Sequence, residues 1–371
     1  MNAGSSDVVI VGGGVVGIAT AYFLAKAGVS STVIERDSVG SHASGFAYGG
    51  LSPLAGAGIP GPVFPMAKEG MRIHREFSQL LPEETGVATE YRVRPSLSLA
   101  FTEEEVRESK EFLAWQQEQE GYSVKWLDAA KAKEIEPRIS DEILGAVYMV
   151  GGAEVEPYKF ILALTQAAEK LGVTVRHGNV KGITKESGRV TGLIMESGEL
   201  ACDNVVLALG PWSADVSSWI SLKVPIRPLK GQILRLQAPG APFDCSIGWA
   251  GNYANTKMDG LLWTGTTEEE AGFDENPTTS ARDQVMASLL KMIPSLLDAE
   301  LVQHTACLRP LSIDGIPIMG AVPNLNGAFL STGAGRKGIL LGPAMGKATA
   351  DLILNRETDF PMEPFSLTRF S

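Results

Sequence analysis

Four consecutive β-branched residues, Val8-Val9-Ile10-Val11, begin the patterned part of the chain. An unbroken apolar run of that length predicts a strand buried on both faces. Gly12-Gly13-Gly14-Val15-Val16-Gly17 follows it directly. Val15, Ile18, Ala19, Tyr22 and Phe23 then recur at helical spacing as far as Gly28, a glycine placed to end a helix. Ser31 to Ile34 read as a second strand, running into Glu35.

Further along, Met66 to Leu81 reads as a helix, with Met71, His74, Phe77 and Leu81 on one side. Leu97 to Phe101 is a short strand. Thr102 and Glu105 form a capping box that opens a charged helix to about Gln119. Asp128 caps a short helix that must end at Glu136, before Pro137. Gly145 to Val150 is a strand, and Pro157 opens a helix carrying Phe160, Leu164, Ala168 and Leu171 on one face. Strands follow at 173–176, 182–184, 190–196 and 204–208. From 216 to 304 the alternation around Gln232–Gln237 and Leu261–Gly265 predicts an antiparallel sheet, with one helix near 281–291. Strands at 308–320 and 328–332 precede a last helix expected to start at Pro343.

The stretch after the first strand matches G-x-G-x-x-G. Gly12 allows the tight turn, Gly14 lets the backbone approach a pyrophosphate, and Gly17 lets helix and strand pack closely. The helix N-terminus presents free N–H groups to the phosphates. Glu35, 18 residues after Gly17, falls where a carboxylate can accept both ribose hydroxyls. An acid there disfavours a 2′-phosphate, which leaves the adenosine of FAD or of NAD. Residues 38–62 are rich in Gly, Ser and Ala, as suits a loop that covers a ligand with backbone N–H groups and small hydroxyls.

The 371 residues are enough for two domains. A net charge of −11 makes nucleic acid an improbable partner. No apolar run is long enough to span a bilayer, and MNAGSSD lacks the features of a secretory leader. Three scattered cysteines and four histidines without paired spacing predict no metal site and fit a reducing cytoplasm.

Seven stretches, in order, resemble the D-amino-acid oxidase superfamily, and the chain's ending is most similar to its glycine oxidase and D-amino-acid dehydrogenase branch. They are VVIVGGGVVGIATAYFLAKAG, SHASGFAYGGLSP, GGAEVEPYKFILAL, VVLALGPWS, RPLKGQILRL, CLRPLSIDGIPIMG and STGAGRKGILLGPAMGKATADLI. The resemblance implies an α/β fold: an FAD-binding Rossmann-type, glutathione-reductase-like layer interleaved with an α+β substrate domain on a mixed or antiparallel sheet. Residues 1–47, 144–216 and 303–371 are expected in the first, and 48–143 and 217–302 in the second. It implies bound FAD, a small amino acid or amine as substrate, and oxygen or another electron acceptor. Homo- or hetero-oligomers both fit.

By the same resemblance, cofactor contacts are expected from Gly12, Gly14, Val15, Val16, Gly17, Glu35, Arg36, Ser41, Ser44, Gly45, Val180, Gly210, Trp212, Arg309, Gly335, Arg336, Lys337, Gly338 and Ile339. The last five belong to a glycine-rich loop that runs into a helix. Its free N–H groups suit the negative N1/C2=O edge of a reduced flavin. Catalytic positions are expected at Arg309, Arg336 and Tyr253. Related oxidases hold the substrate carboxylate with an arginine at the place of Arg309, and a guanidinium fork suits two oxygens. Asn255-Thr256-Lys257 departs from the family's usual run after Tyr253, which leaves a core tyrosine as an equal reading. Ala334 stands where many glycine oxidases carry His or Tyr. Cys307 occupies a place where some sarcosine-oxidising relatives tether flavin, although a small buried thiol is favoured.

The implied reaction is oxidation of the Cα–N bond of glycine, sarcosine, a D-amino acid or a related amine. The imine product hydrolyses to a 2-oxo acid and an amine. An FAD-binding subunit of a multi-subunit amine or opine dehydrogenase is the alternative. An NAD-linked dehydrogenase sharing the first motif predicts a single nucleotide domain, whereas this chain returns twice to the layer.

Overall fold

Strand Ser6–Val11 sits between two parallel neighbours, Ser31–Glu35 and Gly198–Leu207, with Val9 opposite Thr32 on one side and Val205 on the other. Its apolar run is buried as both-face packing requires: Val9 and Ile10 have no exposed surface. Thr174–His177 adds a further parallel strand beyond Ser31–Glu35. Besides pairing with Ser6–Val11, Gly198–Leu207 divides its length between two further neighbours. Residues 198–201 pair antiparallel with Arg189–Met195, and Val205 to Leu207 pair parallel with Ala328–Thr332. Ile318–Ala321 closes the sheet antiparallel to Ala328–Thr332.

The computed structural model describes residues 6–370, and the leader-free start expected at MNAGSSD falls largely outside them. The chain divides into two compact units. One holds the chain up to Tyr91, Glu156–Leu229, and the chain from Leu308 onward; the other holds Arg92–Val155 and Lys230–Cys307. Residues 48–91, expected in the substrate domain, belong to the first unit. Helix Val63–Thr85 packs there on helices Pro157–Lys170 and Gly338–Ile353. Its Phe77 meets Tyr22 edge-on at 5.3 Å and stacks with Phe23 at 6.0 Å. Residues 144–155 and 303–307, expected with the nucleotide layer, fall in the second unit.

Helix Val15–Lys26 is buried nearly all round because helix Gly338–Ile353 lies against it. A Cβ on Gly346 would stand 2.5 Å from the Cβ of Ala19, and one on Gly342 would stand 2.7 Å from Val15, so these two glycines set the approach. The last helix starts at Gly338 rather than at Pro343, which lies in its second turn. A proline there has no N–H for the carbonyl four residues back, and a side chain from another helix replaces that donor, as described below. The strand expected over 308–320 is two strands, Glu300–Ser312 and Ile318–Ala321. Between them Asp314 accepts from Ile316 N–H at 3.1 Å and Gly315 adopts φ +74°, an Asp-Gly turn that breaks the run.

In the second unit, Asn252–Thr256 pairs antiparallel with Ser246–Trp249 and with Leu262–Gly265. Ser96–Ala100 pairs with Ser246–Trp249 and Gly145–Val150, and Ser123–Asp128 adds to the latter. Strand and helix side chains, among them Leu97, Ile247, Ala254, Val285 and Leu289, form the core of this unit. The buried carboxylate of Glu154 is held by Arg92, Asn255 and Lys257.

Candidate cofactor and active site

The glycine turn between the first strand and first helix is built on contacts that exclude side chains. A Cβ on Gly12, at φ +113°, would stand 2.3 Å from the carbonyl oxygen of Ala208. One on Gly17 would stand 2.0 Å from the carbonyl oxygen of Gly12. Gly14 differs: its nearest neighbour would be Ser44 Oγ at 3.2 Å, and no backbone stands within 4 Å. Its outer side is therefore free for a ligand to approach the backbone closely.

Side chains from the following loop complete the turn. The Val15 N–H donates to Ser44 Oγ at 3.1 Å, so the serine hydroxyl keeps its own hydrogen to give to an anion. Glu35 accepts at both oxygens, from Gly13 N–H at 2.6 Å and from Asp37 N–H at 2.8 Å. Those two bonds fix the carboxylate while leaving each oxygen a further lone pair. Gly45 N–H donates to Gly40 O at 2.9 Å, and Gly40 N–H to Gly13 O at 3.1 Å, which folds residues 40–45 back onto the turn. Ser41 Oγ accepts from Ser38 N–H at 3.4 Å. Val16 stands in the first helical turn, where its carbonyl receives the Thr20 hydroxyl at 2.8 Å.

Arg36 lies 4.4 Å over the ring of Trp212, and His42 meets the same ring edge-on at 4.7 Å. Asp37 links the two, bonded to Arg36 Nε at 3.0 Å and His42 Nε2 at 2.9 Å. The bond from His42, together with Arg36, holds the Asp37 carboxyl below the usual carboxylate range. Arg36 and Trp212 are among the cofactor contacts that the resemblance implies, whereas the Asp37–His42 pair is not among the expected residues. Gly210 opens the turn that carries Trp212, with φ +55° and its carbonyl receiving Ser213 Oγ at 2.7 Å. Val180 is buried in the apolar core at the start of its strand.

The second glycine loop runs from Gly333 into helix Gly338–Ile353. Gly335 adopts φ +53°, Lys337 N–H donates to Ala334 O at 3.0 Å, and Gly338 begins the helix. Ile339 is buried, and its carbonyl oxygen lies 2.8 Å from Nε2 of the buried His74. Lys337 Nζ donates to Ser52 O at 2.7 Å. Burial, reinforced by neighbouring Arg336, pushes its ammonium down to about 8. Arg336 itself is exposed.

Arg309 is half-buried near the end of strand Glu300–Ser312. Two residues on, Leu311 forms an antiparallel bridge with Ala334, which sets the end of that strand beside the glycine loop. Cys307 on the same strand is buried. Tyr253 belongs to the second unit. It is half-buried opposite Gly265, where a Cβ would stand 3.1 Å from its hydroxyl, so the ring lies over that glycine. Among the described residues no group of three or more His, Cys, Asp or Glu is placed to hold a metal ion. Among them, too, no helix is long and apolar enough to cross a membrane.

The model of a family described as FAD dependent oxidoreductase matches residues 7–352. Glycine oxidase of Pseudomonas putida is 33% identical over 98% of each chain. Glycine oxidase of Geobacillus kaustophilus is 31% identical over 98% of this chain and 97% of its own. The crystal structure of that Geobacillus enzyme superposes with a TM-score of 0.94, covering 98% of this chain and 99% of the other.

Proposed function

The chain belongs to the FAD dependent oxidoreductase family and acts on amino acids or amines, and from that premise we propose a substrate class and a site. The substrate is a small amino acid or N-substituted amino acid, oxidised at its Cα–N bond. Its amine must be neutral, because an ammonium resists losing hydride from the neighbouring carbon. The resulting imine adds water and releases a 2-oxo acid and ammonia or a primary amine. FAD, when bound, supplies the two-electron acceptor.

The first unit fits that group. Gly14 leaves room for the pyrophosphate beside the N–H of Val16, on a turn that Gly12 and Gly17 allow to close, with Ser44, held by the Val15 N–H, donating its hydroxyl and Ser41 and Gly45 closing the loop. Glu35 accepts the ribose hydroxyls. Arg36, Trp212, Gly210 and Val180 surround the adenosine. Gly335 to Ile339, apart from the Lys337 N–H that Ala334 takes, offer helix-start N–H groups to the flavin's anionic edge. On this reading the first unit is the FAD-binding domain, and the second is the substrate domain.

Arg309 holds the substrate carboxylate through its guanidinium fork, and Arg336 guards the approach. No strong protein base takes part, so positioning is the main protein contribution. The observation that carries this assignment is the Leu311–Ala334 bridge, which brings the strand of Arg309 to the glycine loop. The test is anaerobic mixing of the yellow protein with glycine, sarcosine, D-amino acids, D-hydroxyproline and opines. At least one carboxylate-bearing amine should bleach the flavin. Bleaching by none of them, with reduction by simple amines alone, would contradict the assignment.

A further inference from the structure

Strand Glu300–Ser312 ends in a turn that is tied down from a distant part of the chain. Asp314 accepts from Arg369 at both carboxylate oxygens, from Nε at 2.8 Å and from a terminal nitrogen at 3.2 Å. The same terminal nitrogen donates to the carbonyl oxygen of Ile316 at 2.8 Å. Ser312, buried at the end of the strand, gives its hydroxyl to that carbonyl too, at 2.6 Å, so both lone pairs of the oxygen are used. Arg369 is itself fixed. Its other terminal nitrogen donates to Ser366 O at 3.2 Å, and its guanidinium lies 4.3 Å over the Phe370 ring. Leu367 is buried in an apolar core of the first unit, and Phe370 packs against that core.

A clamp on residues 312–316 acts on Arg309. A strand end frays unless something holds it, and a fork that must meet two oxygens tolerates little displacement. Before Arg309 the strand is held by buried Cys307 and Leu308. After it, the holds are the Leu311–Ala334 bridge, the Ile313 N–H to Pro225 O at 3.2 Å, and the bonds from Arg369. The bidentate pair from Arg369 is charge-assisted, and such bonds are roughly twice as strong as neutral ones. Resting on the assignment of Arg309 to the substrate carboxylate, we propose that Arg369 is a positioning residue for carboxylate recognition. By clamping the turn at Asp314 and Ile316 it sets the guanidinium of Arg309. It acts through that residue and not on the substrate.

The test measures acetate affinity, followed in the visible spectrum, in FAD-loaded protein. Arg369→Met keeps the stem and removes every donor. It should bind acetate about tenfold more weakly than the wild type, with FAD content unchanged. Arg369→Lys should recover part of the loss, since an ammonium keeps the charge and loses the fork. Asp314→Asn keeps an oxygen for the Ile316 N–H and loses the charge, so its loss should match that of Arg369→Met. The double variant should lose no more than either single one. A merely structural clamp would lower the melting temperature and leave acetate affinity unchanged, and that result overturns the proposal. Should Arg369→Met not load FAD, Asp314→Asn decides in its place, and unchanged acetate affinity there overturns the proposal equally. Arg309→Ala in the same assay tests the underlying reading. If it binds acetate as the wild type does, or if the wild type binds none, the carboxylate assignment falls and takes the proposal with it. If Arg309→Ala loses acetate while Arg369→Met keeps it, this proposal alone falls.

Discussion

His74 donates the hydrogen bond that Pro343 withholds. In a regular helix the N–H of residue 343 would close on the carbonyl of Ile339, and proline has no such hydrogen. Nε2 of His74, reaching from helix Val63–Thr85, stands 2.8 Å from that carbonyl oxygen instead. A carbonyl only accepts, so the neutral ring carries its hydrogen on Nε2. The ring packs at 4.6 Å against Phe160, and burial pushes its pKa down to about 4. Helix Val63–Thr85 is thus fastened to the first turn of Gly338–Ile353, directly behind the glycine loop.

Removing the donor should be costly. His74→Leu leaves a buried carbonyl without a partner, which should cost about 1–3 kcal/mol in a urea unfolding series. His74→Gln, whose Nε2 can reach the same oxygen, should recover most of it. Equal stability of His74→Leu and wild type would show that the bond contributes nothing.

The same residue predicts a pH dependence. Its folded pKa lies below the ordinary 6.5, so the unfolded chain takes up the proton first as the pH falls. The stabilisation is complete above about 6.5 and is lost through the window down to about 4. Wild type should therefore lose about 3 kcal/mol more than His74→Gln between pH 7 and pH 4. Parallel stability curves for the two proteins would refute the linkage.

Gly14 and Gly17 should separate binding from folding. A side chain at Gly17 meets the carbonyl oxygen of Gly12, whereas one at Gly14 meets only Ser44 Oγ within 4 Å. Gly17→Val should lower the melting temperature of the apoprotein sharply and abolish FAD binding. Gly14→Val should melt within a few degrees of wild-type apoprotein and still fail to bind FAD. A Gly14→Val protein that saturates with FAD would remove the first glycine turn from the cofactor site.

Much of this architecture was legible along the chain because local rules and tertiary packing agree there. The G-x-G-x-x-G turn, the Thr102–Glu105 capping box and the Asp128 cap all stand where short-range chemistry puts them. The sequence predicts that the last helix starts at Pro343 because proline favours a first turn, whereas the helix starts at Gly338. Only the position of His74 on a distant helix makes a second-turn proline tolerable. Spacing showed His74 as one of several residues on an apolar face, and no local pattern reveals that its ring nitrogen serves a carbonyl 265 residues away. Ser52, Asp37 and His42 were missed as partners for the same reason: their roles depend on how loops fold over one another. A proline within a predicted apolar helix, read as a carbonyl in need of a donor, is the signal that could have found His74.

FAD should leave the protein intact on acid precipitation. Cys307 is buried on its strand, as suits a small packed thiol rather than a tether. A yellow supernatant containing FAD and a colourless pellet is the expected result. A coloured pellet that bleaches only in Cys307→Ser would establish a covalent link.

The most direct measurement is the rate of flavin reduction at limiting substrate in Arg309→Ala, set beside the wild type. If the guanidinium holds a carboxylate, the variant should lose on the order of 2–4 kcal/mol, about 30- to 1000-fold in rate. Arg309→Lys should recover part of this, because a point charge does not reproduce the fork. FAD content and melting temperature should stay near wild type, and a carboxylate-free amine should be oxidised equally poorly by both proteins. Equal losses toward substrates with and without a carboxylate would contradict the account.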